Sequence, residues 1–213
     1  MRTYDQYCSV ARALDVIGDR WTLLIVRELL IRGPSRYTDL QYGLPGIATN
    51  LLADRLRELE DHGVIAREAA PPPVATTLFR LTPRGESLKG VLEALGQWGR
   101  PLMVGPSGDA EFRSHWLIFP LQLHLSDHEP DLPPAVVEIR TGEQPMLLEI
   151  GGSVRVRPGT VPNPDATVTG TPSLILGLFT GALEPAAARA RGLVFDGNED
   201  LVRRVQPLAV AAG

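Results

Sequence analysis

The stretch that decides the fold runs Ser35-Arg-Tyr-Thr-Asp-Leu-Gln-Tyr-Gly-Leu44, then Pro45-Gly-Ile-Ala-Thr-Asn-Leu-Leu-Ala-Asp-Arg-Leu-Arg-Glu-Leu-Glu-Asp-His-Gly63. It reads as a short helix, a break at Pro45-Gly46 and a longer helix. Leu52, Leu56 and Leu59 recur at helical spacing and form one apolar face. Thr49, Asn50, Ala53, Asp54, Arg55 and Arg57 form the other. Gly63 follows the last periodic leucine, where a helix commonly stops on a left-handed residue. An apolar back with an Arg-, Asn- and Thr-rich front, preceded by a short helix and a tight turn, is the helix-turn-helix pattern.

That front suits double-stranded DNA. A helix fits the major groove with its N-terminal residues at the base edges. Asn50 can pair bidentately with adenine, and Thr49 can touch a base or a thymine methyl group. Arg55 and Arg57 can reach guanine or phosphate. Ala53 on the long helix, with Arg36 and Thr38 on the short one, complete the face. Asp54 opposes it, because a carboxylate near phosphate repels. In isolation, an ordinary amphipathic helix with a solvated charged face reads the same way.

Outward from this stretch, residues 64–80 give two β-prone arms around a proline-rich tip. This is a hairpin that, placed after a recognition helix, reads as a wing. Arg67, Thr77 and Arg80 on its arms can touch phosphate or the minor groove. Residues 8–31 read as a long helix interrupted at Gly18-Asp19, so bent or split in two, and Gly33-Pro34 ends it. Thr82 caps the next helix, with Pro83 in its first turn. The apolar stripe of that helix, through Leu88, Val91, Leu92, Leu95 and Trp98, is long for so small a domain. It is expected to pack on a second copy of the chain, together with the first helix; burial against the chain's own second half is the alternative.

These residues carry a resemblance. Cys8-Ser-Val-Ala-Arg-Ala-Leu-Asp-Val-Ile-Gly-Asp-Arg-Trp-Thr-Leu-Leu-Ile-Val-Arg-Glu-Leu29 resembles the opening of HxlR-type winged-helix regulators, which are related to the MarR type. Gly33-Pro34, Leu44-Pro-Gly-Ile47, Arg55-Leu-Arg-Glu-Leu-Glu60, Leu81-Thr-Pro-Arg-Gly85 and Leu95-Gly-Gln-Trp-Gly99 continue it. The resemblance implies a homodimeric transcriptional regulator that binds an inverted repeat, with the helix from residue 49 in the major groove. Ala48-Thr49-Asn50 and Asp54 depart from the family's usual residues and leave the operator sequence open. Cys8 matches a cysteine position through which some members resemble redox or electrophile sensors. A thiol-sensing regulator working through Cys8 is therefore a second reading, against an incidental cysteine.

Composition bounds the rest. A chain of 213 residues holds one large or two small domains. No apolar run reaches membrane-spanning length and the N-terminus lacks a signal segment, so a cytoplasmic protein without a membrane partner is expected. A single cysteine excludes an internal disulfide framework. The net charge of −4 sits in the second half: residues 1–104 carry 13 basic and 12 acidic side chains, residues 105–213 carry 8 and 13.

Gly105-Pro-Ser-Gly108 reads as a linker, dividing residues 1–104 from 109–213. Residues 110–125 look helical, with Phe112, Trp116, Phe119 and Leu123 as anchors and a kink at Pro120. Strands follow at 135–141, 146–150, 153–157 and 166–170. Then come a capped apolar helix from Thr171, a shorter one from Glu184, a strand at 192–196 and a last helix at 199–205. The whole is α+β: an N-terminal winged helix-turn-helix, then a C-terminal α+β domain with a mostly antiparallel sheet. The segments from Asp165 to Gly181 and from Gly192 to Leu201 resemble the sterol-carrier-protein type 2 fold. That resemblance implies an apolar tunnel lined by Leu174, Ile175, Leu178, Phe179 and Leu183, with Trp116 beside it, for a small apolar ligand; a packed core is the plainer reading of the same residues. A lipid or small-molecule carrier that dimerises through its helical half is the competing function.

No catalytic constellation is present: no nucleophile elbow, phosphate loop or dinucleotide fingerprint, so an enzyme and a cofactor are not expected. His124 and His128, four apart near Asp127, Glu129 and Asp131, have metal-ligand spacing only if helical, and the turn-rich sequence there argues against a metal.

Overall fold

The structure, a computed structural model, describes residues 3–70, 76–103 and 110–207. The chain divides into two compact units, residues 1–109 and 110–213. The linker at 105–108 and most of the wing tip lie outside the described residues. Among the described residues no helix is long and apolar enough to cross a membrane.

In the first unit the interrupted helix is two helices, α1 (Ser9–Ile17) and α2 (Thr22–Arg32). The break is sharp because Trp21 takes a left-handed conformation, φ 81°, which a bulky residue adopts only when its surroundings hold it there. The helix-turn-helix is α3 (Tyr37–Gly43) and α4 (Thr49–Asp61). Gly46 (φ 85°) makes the turn between them and Gly63 (φ 66°) ends α4. Leu52, Leu56 and Leu59 are buried with Ile25, Val26, Leu29 and Leu40. The hairpin is β1 (Ile65–Ala69) paired antiparallel with β2 (Thr77–Leu81).

After the hairpin the expected single helix is broken. A four-residue turn of helix, α5 (Pro83–Glu86), is followed by α6 (Lys89–Gly99). Thr82 caps α5 by accepting from Gly85 N, while its hydroxyl donates to Gly63 O at 2.6 Å. This ties the end of α4 to the start of α5. Gly85 is needed there, since a Cβ would fall 2.1 Å from Val64 O.

One buried acid sets α3 against α2. Glu28 has no exposed side-chain surface; Arg27 pairs with its Oε1 at 2.7 Å and Arg32 with its Oε2 at 3.2 Å. A Cβ at Gly43 would lie 2.0 Å from Glu28 Oε2. Gly43→Ala is therefore expected to push Glu28 off its arginines and lower stability by about 2–3 kcal/mol, read from thermal denaturation. Gly90→Ala, where a Cβ meets nothing within 4 Å, is the control and should be neutral or slightly stabilising. Equal stability of the two variants would refute this role for Glu28.

The second unit holds a five-stranded sheet in the order β5 (Val154–Pro158), β4 (Met146–Ile150), β3 (Ala135–Arg140), β6 (Ala166–Thr169), β7 (Val194–Gly197). Only β3–β6 is parallel, so the sheet is mostly antiparallel, as expected. Helices α7 (Ile118–His124), α8 (Pro172–Phe179), α9 (Pro185–Ala190) and α10 (Asp200–Val205) complete the unit. α7 packs on β5, and α8 packs against α7, α9 and α10. Gly197 (φ 98°) lets β7 close on β6, where a Cβ would meet Asp165 O.

The expectation for residues 110–125 needs correction. A 3-10 turn at Ser114–Leu117 precedes α7, and 110–113 are not helical. Pro120 sits in the first turn of α7, where its missing N–H costs nothing. The buried apolar residues are Leu117, Ile118, Leu121 and Leu125, while the aromatic anchors Phe112, Trp116 and Phe119 are half-buried.

Candidate nucleic-acid interface

The start of α4 is held from α3. Tyr37 Oη donates to Thr49 O at 2.6 Å, and Gln41 Nε2 donates to Thr49 Oγ1 at 3.2 Å. Burial pushes the Tyr37 phenol up, so it stays a donor. Arg36 N donates to Asp39 Oδ2 at 3.0 Å, fixing the first turn of α3. These contacts orient Thr49 and Asn50, both exposed, at the end of α4 that would meet base edges.

The front of α4 is narrower than expected. Asn50, Asp54, Arg57 and Asp61 are exposed along one line, and Ala53 is half-buried beside them. Arg55 is not on that line. At 3.6 residues per turn, position 55 falls next to the buried leucine stripe. Its guanidinium is paired with Asp19, in the α1–α2 turn, and with Glu58. Arg55 thus fastens α4 to the rest of the unit.

Three further arginines of this surface also carry acids. Arg57 pairs with Asp54 at 3.1 Å, Arg67 with Glu60 at 2.9 Å and Arg80 with Glu68 at 2.9 Å. Arg67 also lies 5.4 Å from the Phe79 ring centroid. Exposed pairs of this kind hold by about 0–1 kcal/mol, so a phosphate can displace the carboxylate. The acid left behind still lowers the local potential. Arg36 is exposed with no partner for its guanidinium among the described residues; Thr38 and Thr77 are also exposed. The surface therefore has modest pull on a bare phosphate backbone and several uncharged groups able to read bases.

An apolar groove of about 600 Å³ runs between α1–α2 and α6, lined by Leu14, Trp21, Leu24, Val91, Leu95 and Trp98. Trp98 is 73% exposed and Leu102 75%. Cys8 is exposed just before α1.

Residues 16–104 match the HxlR-like helix-turn-helix family. The HTH-type transcriptional regulator YodB of Bacillus subtilis is 31% identical over 86 residues, covering 40% of this chain and 76% of that protein. A solved structure of YodB in its reduced form is 28% identical, spans 47% of this chain and all of that one, and gives a TM-score of 0.41. The HTH-type transcriptional regulator YvaP of the same organism is 33% identical over 87 residues, 41% of this chain and 80% of its own length. The chain belongs to the HxlR-like helix-turn-helix family.

It is a transcriptional regulator of the HxlR type, a group with the MarR-related fold. The HxlR match ends at residue 104 and leaves the second unit outside it. There Leu174, Ile175, Leu178 and Phe179 are buried, and Leu183 and Trp116 are half-buried. Leu183 folds back on Gly177, and Trp116 stands edge-on to Phe112 at 6.4 Å. Asp127 and His128, weighed above as metal ligands, are otherwise engaged: Asp127 binds Arg204, and the His128 ring reaches Gln206 O at 2.7 Å.

Within the HxlR unit, sequence reasoning passed over Tyr37, Gln41 and the Glu28–Gly43 contact. Tyr37 and Gln41 are one helical turn apart on α3. That spacing places them on one face, and their polar ends were the available signal.

Proposed function

We propose that the protein is a homodimeric DNA-binding regulator that places the α4 helices of two copies in the major groove of an inverted repeat. The observation that carries this is the anchored start of α4, with Thr49 and Asn50 exposed and Tyr37 and Gln41 behind them. The exposed apolar groove along α1–α2 and α6 supports the dimer, since a monomer seldom leaves so large an apolar face in water. Specificity in this reading comes from Asn50 and Thr49, and Arg36 supplies a phosphate contact, because Arg57, Arg67 and Arg80 must first leave a carboxylate.

Fluorescence anisotropy with duplexes from the region upstream of the gene, at fixed salt, tests it. Asn50→Ala should weaken the specific duplex by 1–3 kcal/mol, about five- to 150-fold, and leave random duplex nearly unchanged. Arg36→Ala should weaken both and shallow the salt dependence. Binding indifferent to Asn50 would overturn the placement of α4.

Two finer readings attach to this one. The second unit is assigned effector binding or dimer support, on the strength of the sequence resemblance noted above. Cys8 is assigned a sensing role because it is exposed beside the apolar groove's own helix, α1. Operator binding by Cys8→Ser should then be insensitive to diamide, and unaltered sensitivity would remove the assignment.

A further inference from the structure

The exposed line of α4 carries a carboxylate at its middle. Asn50, Asp54, Arg57 and Asp61 recur at helical spacing, so Asp54 stands one turn beyond Asn50, about 6 Å along the axis. Its side chain is 52% exposed. Among the described residues its carboxylate has one partner, Arg57, whose Nη1 donates to Oδ1 at 3.1 Å. Asp54 lies beyond the first turn of α4, where the helix dipole would favour an acid. It supports no other element. A carboxylate on a face turned toward phosphates is repelled unless the DNA offers it a donor. In the major groove only two base groups do so, the N6 amine of adenine and the N4 amine of cytosine.

We propose that Asp54 is a specificity-determining residue that reads a cytosine: on DNA the Asp54–Arg57 pair opens, Arg57 turns to a phosphate, and Asp54 accepts from the N4 amine. This rests on the placement of α4 in the major groove proposed above, and it adds a third reader to Asn50 and Thr49. Parting an exposed pair of this kind costs little. After the exchange each charge again faces an opposite or complementary group, so the acid no longer opposes binding. The side chains around Asp54 on this face, Thr49, Asn50 and Ala53, are short and let the helix seat deeply enough for an aspartate to reach a base edge. Cytosine is the better partner, because adenine sets its N7 acceptor beside N6. Guanine and thymine turn acceptors toward the groove, so the same carboxylate repels them. The cytosine should lie about two base pairs from the adenine met by Asn50, since one helical turn spans about two 3.4 Å steps.

Selection of bound duplexes from random DNA by the full chain, run beside Asp54→Ala, Asp54→Asn and Arg57→Ala, tests it, with anisotropy on the parent's selected duplex as the quantitative readout. The parent should enrich one cytosine in each half-site. It should prefer that duplex about tenfold or more over one with thymine in place of the cytosine, and Asp54→Ala should bind the two alike while keeping every other base of the site. Asp54→Asn should move the preference at that position from cytosine to adenine. Arg57→Ala should keep the cytosine, weaken all duplexes alike and shallow the salt slope by about one. Tighter binding of every duplex by Asp54→Ala, with base preferences unchanged, would make Asp54 a repulsive charge only and overturn the proposal. So would a cytosine lost in Arg57→Ala and kept in Asp54→Ala. In both cases the parent's two-fold site stands, whereas a parent that enriches no site removes the operator reading and this one with it.

Discussion

Asp127→Ala is expected to destabilise the second unit by about 3–5 kcal/mol, the usual result of leaving one buried charge without its partner. Asp127 and Arg204 meet through two hydrogen bonds of 2.8 Å, and their side chains are 0% and 3% exposed. Arg204 also donates to Pro133 O at 2.8 Å, and Asp127 accepts from Glu129 N and Gly152 N. The pair therefore pins α10 to the segment before β3 and to the β4–β5 turn. The hydrogen bond from Arg204 holds the Asp127 carboxyl far below the usual carboxylate range; the backbone N–H groups of Glu129 and Gly152 and the attraction of Arg204 add to it, against the opposing effect of burial. A carboxyl depressed in the folded state contributes stability that is complete above its unfolded value, about 3.9. That stability is lost as pH falls through the folded value. The second unit should thus weaken steeply below about pH 4, and Asp127→Asn should flatten that acid limb while lowering stability at neutral pH. Asp200→Ala, whose pair with Arg203 is exposed and 3.6 Å long, should shift stability by less than about 0.5 kcal/mol. An acid limb unchanged in Asp127→Asn would show that the pair does not set it.

The second large effect concerns the proposed dimer. Leu95→Asp combined with Trp98→Asp should halve the mass in solution from twice the 23.1 kDa chain and reduce operator affinity by at least about a hundredfold. Once one half-site is bound, a dimer binds the second as an intramolecular step, which is worth roughly 10²–10⁴ in affinity. The variant should remain folded, because Leu95 is 47% and Trp98 73% exposed and neither completes the core of its own unit. Analytical ultracentrifugation and circular dichroism read the two outcomes apart. A folded variant that stays dimeric would move the interface elsewhere.

Much of this architecture is legible in the sequence, for local reasons. The leucines of α4 repeat every three to four residues, Gly46 and Gly63 mark its ends, and Thr82-Pro83 announces the following turn of helix. The strands of the second unit show themselves as β-prone runs between turn residues, each within a residue or two of its place. What escapes is what depends on distant partners. Arg55 looks like a front-face residue until Asp19, 36 positions away, is seen to hold it. Asp127 stands among histidines and acids weighed as metal ligands and set aside, and its partner is Arg204, 77 positions on. Glu28 pairs with Arg27 and Arg32 of its own helix, but its full burial becomes intelligible only through the missing side chain at Gly43. The aromatic residues of 110–125 suggest the wrong buried face, because large rings draw attention at half-buried sites while Leu117, Ile118 and Leu121 close the core.

The reading of the protein as a two-fold operator binder is tested most directly by selecting bound duplexes from random DNA with the full chain. The expected product is an inverted repeat whose half-site centres lie about one helical turn, 10–10.5 base pairs, or a whole multiple apart, and it should be lost in Asn50→Ala. No enriched sequence, or an enriched site without two-fold symmetry, would contradict it.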